Sequence, residues 1–163
     1  MRQRDFEIIS REQFDKLFSD FDTKYDELKL PKRATAKSAG YDAYSPFDIQ
    51  LKPSEEITIP TGIKAYMLDD EVVFVLPRSG HGFKYYIRLA NTQGVIDSDY
   101  YNNIDNEGNI NIKIRNEGNK DFSIKKGEAF CQFIFQKYLL ADGDDFVGNE
   151  RVGGIGSTNE KPN

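Results

Sequence analysis

The stretch Ile110-Asn111-Ile112-Lys113-Ile114-Arg115 alternates apolar and polar side chains without a break. A strand turns successive side chains to opposite faces, so this stretch predicts a strand with one face buried and the other in water. Runs of strand length recur on both sides of it, at residues 47–51, 57–59, 72–76, 85–89 and 129–138. Turn formers punctuate them: Ser45-Pro46, Lys52-Pro53, Pro60-Thr61-Gly62, Glu107-Gly108-Asn109, Asn116-Glu117-Gly118 and Lys126-Gly127. Many short strands joined by turns predict an all-β antiparallel sandwich, barrel or jelly roll. No alternation of strand and helix appears, which argues against a doubly wound nucleotide-binding fold.

The first 30 residues read differently. Residues 6–9 form a short strand candidate. Ser10-Arg11-Glu12-Gln13 then has the capping-box form, with Ser10 as N-cap and Gln13 three residues on. Phe14, Leu17, Phe18 and Phe21 follow at helical spacing. Such a face either packs on the body of the protein or receives a partner.

A length of 163 residues fits one domain, since domains run about 100–200 residues. It is enough for a core without metal or disulfide staples. Cys131 is the only cysteine, which excludes an internal disulfide or a cysteine zinc site and fits a reducing cytoplasm. The balance of 22 Lys+Arg against 27 Asp+Glu, net charge -5, argues against nucleic acid or an anionic membrane as partner. A small anion held by a few local cations remains compatible. No run approaches the ~18 apolar residues of a membrane span. The charged opening MRQRDFEIIS is not expected to act as a signal peptide.

Three stretches carry chemistry. Pro77-Arg78-Ser79-Gly80-His81-Gly82-Phe83-Lys84 follows a predicted strand. It reads either as an ordinary turn or as a phosphate cradle, with glycines freeing backbone N–H groups and Arg78, Ser79 and Lys84 adding donors. It lacks the Walker spacing. His81, the only histidine, is expected to face solvent from that loop. Gly94-Val95-Ile96-Asp97-Ser98-Asp99-Tyr100-Tyr101 ends an apolar run with two carboxylates. There they form a charged hairpin mouth or supply a general base, and they share a face if the segment stays extended. Near the end, Arg151-Val152-Gly153-Gly154-Ile155-Gly156-Ser157-Thr158 holds three glycines. It is a frayed terminus or an arm that closes on a ligand.

Taken in order, Ala39-Gly40-Tyr41-Asp42-Ala43-Tyr44-Ser45, the 77–84 stretch, the 94–100 stretch, Lys126-Gly127-Glu128-Ala129-Phe130-Cys131-Gln132 and the glycine-rich tail resemble the five motifs of the trimeric dUTPases. The lead-in Leu30-Pro31-Lys32-Arg33-Ala34-Thr35 is also similar, and the resemblance spans roughly residues 28–158. It implies a distorted jelly-roll β-barrel over residues 28–140. A strand-and-helix extension at 1–27 precedes it, and a linker with a flexible C-terminal arm at 141–163 follows. It implies a homotrimer with three shared active sites, each taking motifs from all three subunits, the arm reaching a neighbouring subunit and closing over bound nucleotide, and cytoplasmic or viral host-cytoplasmic action. The implied reaction is attack of water on the α-phosphorus of dUTP, giving dUMP and pyrophosphate. That reaction limits uracil in DNA and supplies dUMP for dTMP synthesis. A dCTP deaminase would share the fold and phosphate loop but needs a catalytic glutamate and a different third motif. A non-catalytic trimeric binding module would have no need of both Asp97 and Tyr100.

The resemblance also implies roles. Asp97 matches the carboxylate that activates water, and Tyr100 the ring against the deoxyribose that leaves no room for a 2′-hydroxyl. Asn91 and Gly94, Val95 and Ile96 match the uracil hairpin, with Asn111 a further base contact. Arg78, Ser79, the Gly80 N–H and Gln132 match phosphate binders. Asp42 matches the carboxylate holding waters of a phosphate-bound Mg²⁺. Arg151, Ile155, Gly156, Ser157 and Thr158 match the arm. Three departures stand out: residues 101–106 are inserted after Tyr100, Ala129 replaces an arginine, and Ile155 stands where a phenylalanine usually covers the uracil. Either Ile155 leaves a stacking position vacant or the insert covers the base through Tyr101. The inserted hairpin is also a candidate surface for a regulatory protein partner.

Overall fold

The computed structural model describes residues 2–148 and 153–155. The alternating stretch is strand β10 (Asn111–Asn116), with Ile112 and Ile114 buried and Lys113 and Arg115 exposed. It lies at the centre of a three-stranded sheet, antiparallel to β5 (Glu56–Pro60) on one side and β8 (Ile87–Leu89) on the other. A second sheet has five strands in the order β2 (Lys32–Arg33), β3 (Tyr41–Tyr44), β12 (Ala129–Lys137), β7 (Glu71–Pro77) and β9 (Gly94–Asp97). Two antiparallel pairs complete the described strands: β1 (Asp5–Ile8) with β6 (Ile63–Tyr66), and β4 (Ile49–Leu51) with β11 (Phe122–Ile124). The architecture is all-β and of jelly-roll type, but the ladders fall into four sheets and do not close the barrel.

Ile59, Val73, Ile112, Ile114, Phe130 and Phe133 are buried at the centre of the core. Each fully buried aliphatic or aromatic side chain is worth roughly 1.5–3 kcal/mol relative to exposure. The N-terminal residues join this core. Phe6 packs on Phe133, their ring centroids 5.4 Å apart. Helix α1 (Arg11–Leu17) buries Phe14, which stacks on Phe18 at 4.6 Å. Its apolar face therefore packs on the body of the protein. The capping box is half formed. Ser10 Oγ accepts from the Gln13 N–H at 3.2 Å, whereas the Ser10 N–H donates to the Glu107 carboxylate at 3.1 Å rather than to Gln13.

Two local expectations are corrected. The stretch after β7 is a short helix, α2 (Ser79–Tyr85), with Arg78 as N-cap. The predicted strand at 85–89 begins only at Ile87, because Tyr85 ends the helix and Tyr86 takes a left-handed conformation with φ of 56°. Two glycines disfavour a helix by about 1 kcal/mol each. Tertiary contacts hold this one nonetheless: the His81 ring sits edge-on to Phe122 at 5.0 Å and Tyr85 packs on Phe122 at 5.3 Å.

Candidate active site in two clefts

Strand β12 gathers the first, second and fourth motifs. Its register sets Gln132 opposite Asp42 of β3 on one edge, and Cys131 opposite Pro77 of β7 on the other. Arg78 follows Pro77 directly. Asp42, Arg78, Ser79, Gly80, Lys84 and Gln132 consequently line one cleft of about 470 Å³, with Ser38 and His81 beside them. Arg78 Nε lies 3.3 Å from Asp42 Oδ1, and Arg78 Nη1 donates to the Ala129 carbonyl at 3.4 Å. Gln132 Nε2 donates to the Pro77 carbonyl at 3.2 Å. With two cations against one carboxylate, the cleft suits an anion. The His81 and Gly82 N–H groups donate to the Arg78 carbonyl, while the Ser79 and Gly80 amides ahead of them stand where a helix offers no intrahelical acceptor. A Cβ at Gly80 would meet nothing within 4 Å, so the backbone there is open to close approach. His81 is not a solvent-facing loop residue: burial, and then the Arg78 charge, lower its pKa, which keeps the imidazole neutral near pH 7.

Gly40 leaves the space that the Gln132 side chain occupies. A Cβ on it would overlap Gln132 Oε1 and lie 3.1 Å from Gln132 Cδ. Gly40→Ala is expected to rotate Gln132 off the Pro77 carbonyl and away from the cleft. The result should be a several-fold higher KM for a phosphate-bearing substrate with the thermal midpoint nearly kept, since a flexible side chain can yield. Steady-state kinetics and a melting curve check it.

A second cleft, of about 420 Å³, is walled by both large sheets. Gly94, Val95, Ile96 and Asp97 come from β9, Asn111 from β10, and Asn91, Tyr100 and Ile155 complete the predicted set. Thr58, Val75 and Lys113, which the sequence pattern did not single out, line it too. They belong to strands whose pairing partners are far away in sequence. The third-motif segment is not a ladder-paired hairpin, since β9 pairs with β7 and β10 with β5 and β8. Gly94 is needed for that pairing, because a Cβ would lie 2.8 Å from Val75 Cβ. Asp97 and Asp99 do not share a strand face either. The chain turns into a 3-10 helix at Ser98–Tyr100 immediately after Asp97. This leaves Asp97 exposed at the strand end and on the cleft, without Asp99.

Tyr100 is only 4% exposed and its orientation is held by asparagines. Its hydroxyl donates to the Asn109 carbonyl at 3.1 Å and accepts from Asn106 Nδ2 at 2.8 Å. Buried Asn109 accepts from the Gly62 N–H at 2.8 Å and donates to Asn111 Oδ1 at 2.9 Å. The asparagine-rich run 102–111 was the one available signal for this support. Tyr101 does not cover the cleft. Its hydroxyl donates to Glu7 Oε2 at 2.5 Å and its ring meets Tyr66 at 5.9 Å. Arg151, Gly156, Ser157 and Thr158 lie outside the described residues.

The model of the dUTPase family matches residues 26–157. The chain belongs to the dUTPase family. Among curated dUTPases, the deoxyuridine 5'-triphosphate nucleotidohydrolase of Lactococcus lactis is 41% identical over 97% of this chain and 99% of its own length. That of Acinetobacter baylyi is 36% identical over 83% and 91%. A crystal structure of the dUTPase from Streptococcus mutans superposes with a TM-score of 0.69 at 37% identity, covering 85% of this chain and 99% of that one. A dUTPase of phage phi11 of S. aureus, described with a structural Mg(II) ion, shares the fold at a TM-score of 0.65 and 18% identity, over 92% of this chain and 100% of that one. The family's reaction, hydrolysis of dUTP to dUMP, is this chain's activity. Among the described residues no helix is long and apolar enough to cross a membrane.

Proposed function

We propose that one dUTP molecule bridges a base cleft of one subunit and a phosphate cleft of its neighbour in a homotrimer. The observation behind this is that each chain carries both clefts and they share no lining residue. In the base cleft, backbone donors and acceptors of β9 with Asn91 and Asn111 face uracil. Cytosine would leave some of them unpaired, a strong rejection. Tyr100, fixed by Asn106 and Asn109, packs on the deoxyribose and excludes a 2′-hydroxyl. In the phosphate cleft, Arg78, Ser79, the Gly80 N–H and Gln132 hold the phosphates. Arg78 exchanges its Asp42 partner for a phosphate oxygen. Asp97 takes a proton from water as the water oxygen bonds to the α-phosphorus. The bond from that phosphorus to the bridging oxygen breaks, and pyrophosphate leaves with the electron pair.

The donor set fits Mg²⁺ of one kind. Among the described residues there is no group of three or more His, Cys, Asp or Glu that could hold a metal, so an all-protein cage is excluded there. A single carboxylate, Asp42, lies in the phosphate cleft. Mg²⁺ keeps several waters and favours substrate phosphates, so Asp42 would hold it through water while the ion neutralises phosphate charge. We assign the reaction to the cytoplasm, where it would keep dUTP out of DNA and provide dUMP for thymidylate synthesis.

Pyrophosphate release from dUTP, dCTP and UTP is the test. Turnover of dUTP alone is expected. Ammonia from dCTP would make the chain a deaminase, and equal rates on UTP would remove Tyr100 from sugar selection.

Ile155 lines the base cleft and is 76% exposed. Tyr100 is the aromatic among the described lining residues. With Tyr101 engaged elsewhere, the stacking position over the base has room. Ile155→Phe is therefore expected to lower KM for dUTP a few-fold, from an aromatic contact worth roughly 0.5–1.5 kcal/mol, with the single-turnover rate unchanged. A raised KM would mean an overpacked site.

A further inference from the structure

Asn109 is 0% exposed, so water does not compete for its polar atoms. Its main chain is fixed on both sides: the N–H donates to the Asn106 carbonyl at 2.9 Å, and the carbonyl accepts from the Tyr100 hydroxyl. Its carboxamide has one satisfiable orientation. A backbone N–H can only donate, so the Gly62 N–H, 2.8 Å away, identifies the atom it meets as Oδ1. The other end is then Nδ2, which donates to Asn111 Oδ1 at 2.9 Å. That contact orients the second carboxamide in turn. With its Oδ1 turned to Asn109, the group that Asn111 offers to the base cleft it lines is its Nδ2 amino group, a pure donor. Asn109 itself is not among the residues lining that cleft.

We propose that Asn111 reads the 4-position of the base through this amino group, and that Asn109 is the positioning residue that sets its polarity. The inference rests on the base-cleft reading above and names the atoms that discriminate. Uracil carries at that position a carbonyl oxygen, which accepts, and cytosine an amino group, which donates. A donor held there pairs with uracil and stands opposed to a second donor in cytosine. A free carboxamide would escape the clash by turning over, and this one is prevented from doing so. A reversed Asn111 would set its amino group against that of Asn109, and a reversed Asn109 would set its amino group against the Gly62 N–H. Either reversal leaves donors without acceptors in a buried place, which costs more than one hydrogen bond is worth. The same buried residue holds the Tyr100 hydroxyl, so Asn109 orients both the group that reads the base and the ring that reads the sugar.

The test uses the full chain with Asn111→Asp and Asn109→Asp, and kcat/KM for pyrophosphate release from dUTP, dCTP and UTP. Asn111→Asp keeps the oxygen that Asn109 binds and exchanges the amino group for an acceptor. Asn109→Asp keeps the oxygen for Gly62 but can only accept from Asn111, which must then turn its own oxygen to the cleft. Both are expected to lower the preference for dUTP over dCTP about ten- to a hundredfold, the scale of a hydrogen bond replaced by an unpaired group. The ratio of dUTP to UTP, which share the base, should stay as in the wild type. A wild-type preference for dUTP over dCTP in Asn111→Asp would overturn the proposal. So would an Asn109→Asp chain that loses thermal midpoint and acts on both nucleotides in the wild-type ratio, since a merely structural role predicts that result. If Asn109→Asp does not fold, Asn111→Asp decides alone. A wild-type chain inert toward dUTP would overturn the functional reading instead. Side-chain amide exchange on the wild type would then still decide the polarity: slow exchange at Asn109 Nδ2 beside fast exchange at Asn111 Nδ2 supports it, and equal protection of the two overturns it.

Discussion

Asp97→Asn is expected to lower turnover of dUTP by about a hundredfold or more, with binding nearly unchanged. Loss of a general base costs ~10²–10⁴ in rate. The substitution keeps the shape of the side chain and removes the proton acceptor. Position supports a large effect: Asp97 ends β9 on the base cleft, and the 3-10 turn that follows takes Asp99 away from it. Among the described residues lining that cleft, Asp97 is the one carboxylate, so a second one there cannot substitute for it. Because the residue is exposed and asparagine keeps its shape, the melting temperature is expected to move little. Single-turnover rates and equilibrium binding of a non-hydrolysable dUTP analogue separate the two effects. A variant within about twofold of wild type would take Asp97 out of the mechanism, since the low end of general-base catalysis is already far larger.

The second large effect is a rescue. Arg78→Ala disables the phosphate cleft and Asp97→Asn the base cleft, and each homotrimer should be nearly inactive. If dUTP bridges clefts of neighbouring subunits, mixed trimers contain sites that join an intact base cleft from the Arg78→Ala chain to an intact phosphate cleft from the Asp97→Asn chain. Random assembly of a closed three-subunit ring makes about a quarter of all sites of this kind. Activity should rise toward that fraction of wild type after subunit exchange by unfolding and refolding. Absence of rescue, with mixed trimers verified by mass, would place both halves of each site on one chain.

The all-β antiparallel class was legible because its signals are local. Alternation at Ile112, Lys113, Ile114 and Arg115 follows from the two-residue strand period, and Ser10 caps Gln13 three residues away. The site residues were legible through motif order, and most of them do line one of the two clefts. Other features depended on partners distant in the chain. Helix α2 forms against two unfavourable glycines because Phe122, some forty residues on, packs on its His81 and Tyr85. Strand β6 buries Ile63, Lys64 and Ala65 in succession, so no alternation marks it. The support of Tyr100 by Asn106 and Asn109, and the Gly154 contact with Asp105 across 49 positions, follow no sequence period. By itself the sequence determined the alternating strands and the Ser10 cap and supplied the candidate reactive groups, because backbone geometry and side-chain chemistry act within a few residues. Tertiary structure alone decided that the β12 register assembles one cleft and that two separate sheets wall the other. Which strands meet is set by which apolar faces can be buried together, and that is a property of the whole chain.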